Sequence, residues 1–247
     1  ETASRLRGRI EAVLAWATVS GHRGGDNPAR WRGHMDKLLP AKTKVAKVKH
    51  FMAMPYADLP EFMAELSKGR SISARALEFT ILTAARTGEV IGSRWSEIDF
   101  DKRLWIVSGE RTKSGREHRV PLPDRALDIL KAIPREGEFV FPGSRAKHPL
   151  SSMPMLEMLR GMRSSLTVHG FRSTFRDWCG DRTNYPREMI EFALAHAIGN
   201  KTEAAYRRAT ALEKRRNLMQ AWAKFCTSPT WTGCGSAWVN YKAEVYR

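Results

Sequence analysis

Apolar positions recur with helical spacing near the start of the chain. In residues 5–21 they fall on one face, which predicts an amphipathic helix that ends near Gly21. A second short helix is expected in residues 29–39. A basic run over residues 42–49 is typical of a linker. We therefore place a domain boundary within about residues 42–54.

Beyond this boundary the pattern predicts a helix-rich domain that contains a small sheet. Residues 55–68 and 71–85 are typical of amphipathic or largely buried helices. Three alternating segments then predict strands, of which the last two form a hairpin through a Gly-containing turn: residues 95–100, 104–109 and 118–123. Helical patterns return at residues 123–133 and continue to about Phe225. The expected fold class is mainly α with a small antiparallel β-sheet.

The 247 residues are thus divided into a helical part with a linker, a large domain and a tail, over residues 1–50, 51–226 and 227–247. The chain starts with Glu1 rather than Met and in helix-like sequence, which favours a piece of a longer protein. The tail loses periodicity but carries four aromatic residues that include Trp231 and Trp238. Either it docks on folded protein, since exposed aromatic side chains favour aggregation, or it is partly disordered.

Charge narrows the range of partners. The chain has 42 Lys and Arg against 26 Asp and Glu, a net charge of +16, and the first 50 residues alone carry 11 basic and 4 acidic side chains. Such a surplus favours a polyanion, because cations that neutralise phosphates release condensed counterions. A membrane surface is the alternative, but no apolar run approaches the roughly 18–20 residues of a membrane span. We expect nucleic acid rather than a membrane.

Three cysteines, Cys179, Cys226 and Cys234, are widely spaced and include no CxxC pair. An odd number without close pairs argues against both a disulfide framework and a zinc site. Free thiols in a reducing compartment are the expected state, which fits a cytoplasmic location.

Four separated clusters carry candidate chemistry. The motif ARTGEV places Arg86 after a buried helix, with Glu89 one turn later. The motif VHGFRSTF puts His169 and Arg172 at positions i and i+3, on one helical face. The motif TKSGRE holds a lysine, Lys113, in the predicted hairpin turn. In LAHAIGNKTEAAYRR, His196 lies ten residues before Tyr206.

These motifs, with GREHRVPL and LEKRRNLMQAWA, resemble the tyrosine recombinase (phage integrase) family, and in particular its satellite-phage and genomic-island branch. The resemblance covers roughly residues 55–225. It implies a catalytic domain of that family preceded by part of a helical core-binding domain in residues 1–50. Each motif is weak alone, but six positions in the family's order are unlikely to coincide by accident.

The resemblance implies a role for each position. Arg86, steadied by Glu89, and Arg172 would hold the scissile phosphate, because planar guanidinium groups suit the charge that develops on the equatorial oxygens. Lys113 would protonate the departing 5′ oxygen from the hairpin. His169 would assist proton transfer and His196 would donate to a non-bridging oxygen. Tyr206 would be the nucleophile.

Simpler interpretations stand beside these roles. Arg86 and Glu89 could form an ordinary surface pair, and Lys113 could be a solvated charge in a polar turn. The two histidines could be structural, and Tyr206 could be a buried aromatic residue. A metal site is rejected, because the histidines lack carboxylate or thiol partners at ligand spacing.

The remaining basic residues would hold DNA phosphates without reading sequence, although a solvated charged face explains any one of them equally well. The candidates are Arg5, Arg9, Arg30, Arg32, Lys44, Lys47 and Arg207.

The implied function is site-specific recombination through a 3′-phosphotyrosyl intermediate, which integrates or excises a mobile element in a bacterial cytoplasm. The resemblance implies no cofactor, since the tyrosyl ester conserves the energy of the cleaved bond. The implied partners are double-stranded DNA attachment sites, three further protomers on DNA and a host DNA-bending protein; a monomer is allowed without DNA. The alternatives are a type IB topoisomerase and a DNA-binding relic without chemistry.

Overall fold

A computed structural model of the chain describes residues 2–41, 45, 52–145, 147–196 and 208–228. It divides into two compact units, Glu1–His50 and Phe51–Arg247. Beyond Ser228 the predicted tail lies outside the described residues.

The first unit is built on helix α1, Thr2–Val19, which is followed by a left-handed turn at Gly21 with φ of 75°. The carboxylate of Glu11 ties the segment after α1 to the helix, since it accepts hydrogen bonds from the Arg7 side chain and from the Trp31 backbone. Most large apolar side chains of α1 are exposed, with Trp16 at 62% of its full accessibility, whereas Leu14 is half-buried.

The helix predicted for residues 29–39 is interrupted, so that prediction was partly wrong. A π-type turn spans Trp31–Met35 and a short α-helical turn spans Asp36–Leu38. Within the first of these turns the chain leaves helical geometry at Arg32, which is extended, and at Gly33, whose φ is 75°. Glycine adopts this left-handed conformation without the steric cost that a Cβ imposes, and helical periodicity does not register such a break.

The second unit contains the predicted helices. They are α2 (Leu59–Leu66), α3 (Ile72–Thr83), α4 (Thr87–Ile91), α5 (Asp124–Lys131), α6 (Ser152–Met162), α7 (Gly170–Arg182), α8 (Arg187–Ala193) and α9 (Arg208–Thr227). Single 3-10 turns lie at Tyr56–Asp58, Trp95–Glu97 and Gly109–Arg111. Ser71 caps α3, because its side chain accepts from the Ala74 backbone N–H.

The predicted sheet is confirmed as three antiparallel strands, β1 (Ile98–Asp99), β2 (Leu104–Val107) and β3 (His118–Pro121), in the order β1-β2-β3. Strands β2 and β3 form the expected hairpin, with Val107 opposite His118. The helical pattern expected to run on from residue 123 is broken between α5 and α6. There, short bridges pair Arg94 with Phe139 and Pro142 with Pro149.

Helix α9 lies at the centre of this unit, where it packs against α2, α3, α5 and α8 and against strand β3. Its Trp222 is fully buried and lies 5.2 Å from the ring of Phe175 and 5.1 Å from that of Trp178, between centroids. The indole N–H donates to the Ile81 carbonyl at 2.8 Å, near the end of α3. One side chain therefore fixes α9 to two other helices.

The two described cysteines, Cys179 and Cys226, are free thiols in the core. Burial raises the pKa of both thiols, which keeps them protonated and unreactive. Cys234 lies outside the described residues.

We expect Trp222→Ala to lower the free energy of unfolding by about 3–5 kcal/mol, because it removes a fully buried indole ring from the α9 interface and leaves a cavity. Trp222→Phe is the matched control. It keeps an aromatic ring and loses the hydrogen bond to Ile81, so a smaller loss of about 1–2 kcal/mol is expected. Urea denaturation of both variants measures the difference, and equal losses would contradict the packing role.

Candidate active site

Arg86 begins the site at the N-terminus of α4. Its guanidinium donates to the Glu89 carboxylate at 2.8 Å, and its backbone N–H donates to the other oxygen of that carboxylate at 3.0 Å. The Glu89 side chain is only 3% exposed, so the pair is not a solvated surface pair. The second guanidinium nitrogen donates to the Ala195 carbonyl at 3.1 Å. Glu89 therefore orients the guanidinium group of Arg86 towards the segment that carries His196.

Arg172 lies on α7 and is buried, at 6% exposure. Its two terminal nitrogens donate to the carbonyls of Ala84 and Leu194, each at 2.5 Å. Burial, followed by the nearby charge of Arg86, lowers the pKa of Arg172 to about 10, so it stays cationic at neutral pH. Since Arg86 and Arg172 donate to adjacent carbonyls, the two guanidinium groups meet at one place.

Two left-handed alanines shape this place. Ala84, which ends α3, has φ of 49°, and Ala195, which follows α8, has φ of 50°. A Cβ makes this conformation unfavourable, by about 1–3 kcal/mol, so the surrounding contacts must hold both residues in it. The two turns present the carbonyls of residues 84, 194 and 195 to the guanidinium groups.

His196 joins the cluster directly after the second turn. Its Nε2 lies 3.2 Å from a terminal nitrogen of Arg172, and its Nδ1 lies 2.5 Å from the Glu191 carboxylate. The side chain is 42% exposed, so the ring lies at the rim of the cluster. The structure thus brings together Arg86, Glu89, Arg172 and His196 from α4, α7 and the end of α8.

His169 lies close enough to this cluster for its charges to affect the imidazole. His169 immediately precedes α7, one turn before Arg172. Partial burial, followed by the charges of Arg172, Arg86, His196 and Lys113, lowers the pKa of His169. Lys113 is exposed in the turn between β2 and β3, as predicted.

Beneath the cluster lie two residues that the sequence analysis missed. His118 on β3 is 9% exposed, and Arg215 on α9 is 8% exposed and donates to the Arg119 carbonyl at 2.9 Å. Burial lowers the pKa of Arg215 to about 10. Arg215 had a detectable signal, because it shares a helical face with the buried residues Leu218 and Trp222.

His118 makes the stability of the protein sensitive to acid. Burial, then the charge of Arg215, lowers the pKa of His118 to about 4, with Arg172 and Arg86 acting in the same direction and Glu89 opposing them. An unfolded histidine titrates near 6.5, so the stabilisation from the neutral ring is complete above pH 6.5. It is lost as the pH falls from 6.5 to 4, because the unfolded chain gains a proton that the folded chain excludes.

Between pH 7 and pH 4, we therefore expect the free energy of unfolding of the wild type to fall by about 3 kcal/mol more than that of His118→Gln. Urea unfolding at each pH measures both. His148→Gln, which changes an exposed histidine, is the control and should follow wild type. A His118→Gln profile parallel to wild type would contradict the assignment.

Several predicted positions do not enter this geometry. Tyr206, Arg207, Lys44 and Lys47 lie outside the described residues. Arg5, Arg9, Arg30 and Arg32 are exposed on the first unit.

Among the helices in the described part of the chain, none combines the length and apolar character that crossing a membrane requires.

The sequence itself matches two family models. The model of the phage integrase family matches residues 53–213, and the model of the phage integrase central domain matches residues 1–34. The chain belongs to the phage integrase family. The integrase match includes Arg86, Arg172 and His196, as well as Tyr206.

Individual integrases support the same assignment. The integrase of Enterobacteria phage P4 is 31% identical, over 91% of this chain and 55% of that protein. Prophage integrase IntA of Escherichia coli (strain K12) is 34% identical, over 90% of this chain and 54% of that protein. The chain therefore spans about half the length of these curated relatives.

The fold is also that of an integrase. A crystal structure of a lambda integrase tetramer bound to a Holliday junction superposes with a TM-score of 0.57 at 18% identity, over 81% of this chain and 59% of that one. The predicted fold class, helices with a small antiparallel sheet in the manner of a tyrosine recombinase catalytic domain, is confirmed.

Proposed function

We propose that this chain is the catalytic part of a site-specific DNA recombinase that cleaves and rejoins DNA through a 3′-phosphotyrosyl intermediate. The observation that carries the proposal is the meeting of the Arg86 and Arg172 guanidinium groups with the ring of His196. Two guanidinium groups, both cationic at neutral pH, and an imidazole are suited to bind one phosphodiester, whose oxygens gain negative charge in the transition state. The net charge of +16 favours DNA as the polyanion that brings this phosphate.

In the proposed reaction, the phenol oxygen of Tyr206 attacks the scissile phosphorus, and the bond from phosphorus to the 5′ oxygen breaks. Lys113 gives the departing oxygen a proton, so that a free 5′ hydroxyl leaves, while His169 assists removal of the proton from the phenol. The 5′ hydroxyl of a partner duplex then attacks the phosphotyrosine, which restores the phenol and joins the strands. Since one ester is exchanged for another, the bond energy is conserved.

The same exchange at a second pair of strands completes integration or excision of a mobile element. We propose double-stranded attachment sites as substrates and four protomers as the working assembly, by analogy with the lambda integrase tetramer on a Holliday junction. A host DNA-bending protein as accessory partner, and the chromosome of a bacterial host as target, belong to the same proposal. Arg5, Arg9, Arg30, Arg32, Lys44, Lys47 and Arg207 are proposed phosphate contacts.

The test is covalent capture. The full chain is incubated with a pool of nicked suicide duplexes randomised around the cleavage position, and protein–DNA complexes that survive denaturation are isolated. We expect a covalent complex whose DNA-linked peptide contains Tyr206, and sequencing the captured DNA defines the site. Absence of any covalent complex would favour a DNA-binding relic. Relaxation of a supercoiled plasmid that lacks the captured sequence would favour a topoisomerase.

A further inference from the structure

Glu191 is a carboxylate at the edge of the cluster for which the reaction above has no task. It lies on α8 and its side chain is 14% exposed. One carboxylate oxygen lies 2.5 Å from Nδ1 of His196. The other lies 2.9 Å from a terminal nitrogen of Arg176 on α7 and 4.0 Å from Nε of Arg187. The carboxylate is thus itself held in place while it contacts the imidazole.

The backbone reinforces this contact. The N–H of His196 donates to the carbonyl of Glu191 at 2.9 Å, across the left-handed turn at Ala195. Glu191 therefore holds both the main chain and the ring of His196, five residues further on. A ring fixed at Nδ1 has little freedom to rotate, and its Nε2 is directed towards Arg172.

The donors and acceptors define the state of the ring. An ionised carboxylate only accepts hydrogen bonds, so Nδ1 of His196 carries a proton. A guanidinium only donates, so Nε2 accepts from Arg172 at 3.2 Å in this arrangement. When a phosphate takes the N–H groups of Arg172, Nε2 needs a proton of its own to donate to a phosphate oxygen. The ring is then doubly protonated beside Arg172, and the negative charge of Glu191 offsets these two positive charges.

We propose that Glu191 is a positioning residue of this site: it orients His196 and favours the doubly protonated ring that donates to a non-bridging phosphate oxygen. This inference rests on the proposed function, since it deepens the role of His196 in the same cleavage step. Carboxylate partners act in this way on histidines at other catalytic and metal sites, where they fix the tautomer and orientation of the ring.

A double-mutant cycle tests the proposal. We expect Glu191→Gln, which keeps the shape and removes the charge, to slow covalent capture of the suicide duplex by roughly tenfold or more, with unchanged DNA affinity. Glu157→Gln removes the same charge from an exposed position on α6 and should cleave like wild type. In a His196→Ala background Glu191→Gln should cost less than about twofold, because coupled residues are not additive. Equal costs in both backgrounds would assign Glu191 a structural role and overturn the inference.

A spectroscopic measurement reads the ring directly. In NMR spectra of the full chain labelled with ¹⁵N-histidine, the His196 signals are those that His196→Ala removes. We expect these signals to show a protonated Nδ1, and we expect Glu191→Gln to change them. Unaltered signals would overturn the inference even if cleavage slowed. If Glu191→Gln cleaves as fast as the wild type, only the role of Glu191 is refuted. If the wild type forms no covalent complex, the proposed function is refuted.

Discussion

Tyr206→Phe is expected to bind the captured duplex with the affinity of the wild type and to form no detectable covalent complex. The substitution removes one oxygen, the atom that would attack phosphorus, and keeps the ring. A phenol with a pKa near 10 becomes a useful nucleophile only where cations favour its ionised form, and Arg86, Arg172 and Lys113 would supply them. Without the oxygen the same cations have no group to activate.

The measurement is covalent capture under denaturing conditions beside a binding assay at fixed salt, because affinity for DNA depends steeply on ionic strength. Tyr185→Phe and Tyr241→Phe are matched controls that remove the same oxygen elsewhere in the chain, and both should be captured like wild type. A complex that persists in Tyr206→Phe and disappears in either control would assign the nucleophile to another tyrosine.

Much of this site was predicted through motifs that resemble the phage integrase family, and these motifs lie on helices and a hairpin with strong local signals. Arg86 follows the apolar run of α3, Arg172 lies on the periodic helix α7, and Lys113 occupies the turn that alternation and glycine predict. For such residues, the spacing of apolar positions fixes which side chains face inward. The burial of Glu89 beside Arg86 did not follow from this pattern, which left an ordinary surface pair open as an alternative.

The contacts that join these elements were not predictable. Glu191 and His196 are five residues apart, which is no helical spacing, and they meet only because Ala195 adopts a left-handed turn that an alanine sequence does not announce. The carbonyls of Ala84 and Leu194, which bind Arg172, lie far apart in sequence. Backbone acceptors carry no residue signature, since every residue has one.

The second large effect is expected at Arg172. We expect Arg172→Ala to slow covalent capture by about a thousandfold or more, within the range seen when an arginine that stabilises a phosphoryl transition state is lost. Arg172→Lys keeps the positive charge but has one terminal nitrogen in place of a planar fork. It cannot hold the carbonyls of Ala84 and Leu194 as the guanidinium does while also donating to a phosphate, so a loss of about a hundredfold or more is expected.

The lysine variant is the sharper test, because charge and geometry separate in it. If charge alone mattered, Arg172→Lys would cleave almost like wild type. Arg125→Lys is the control, since the half-buried Arg125 on α5 is paired with the buried Glu78 carboxylate of α3 rather than directed at the cluster. Single-turnover capture at saturating protein measures the chemical step apart from binding. Full activity in Arg172→Lys would contradict the role of the planar guanidinium group.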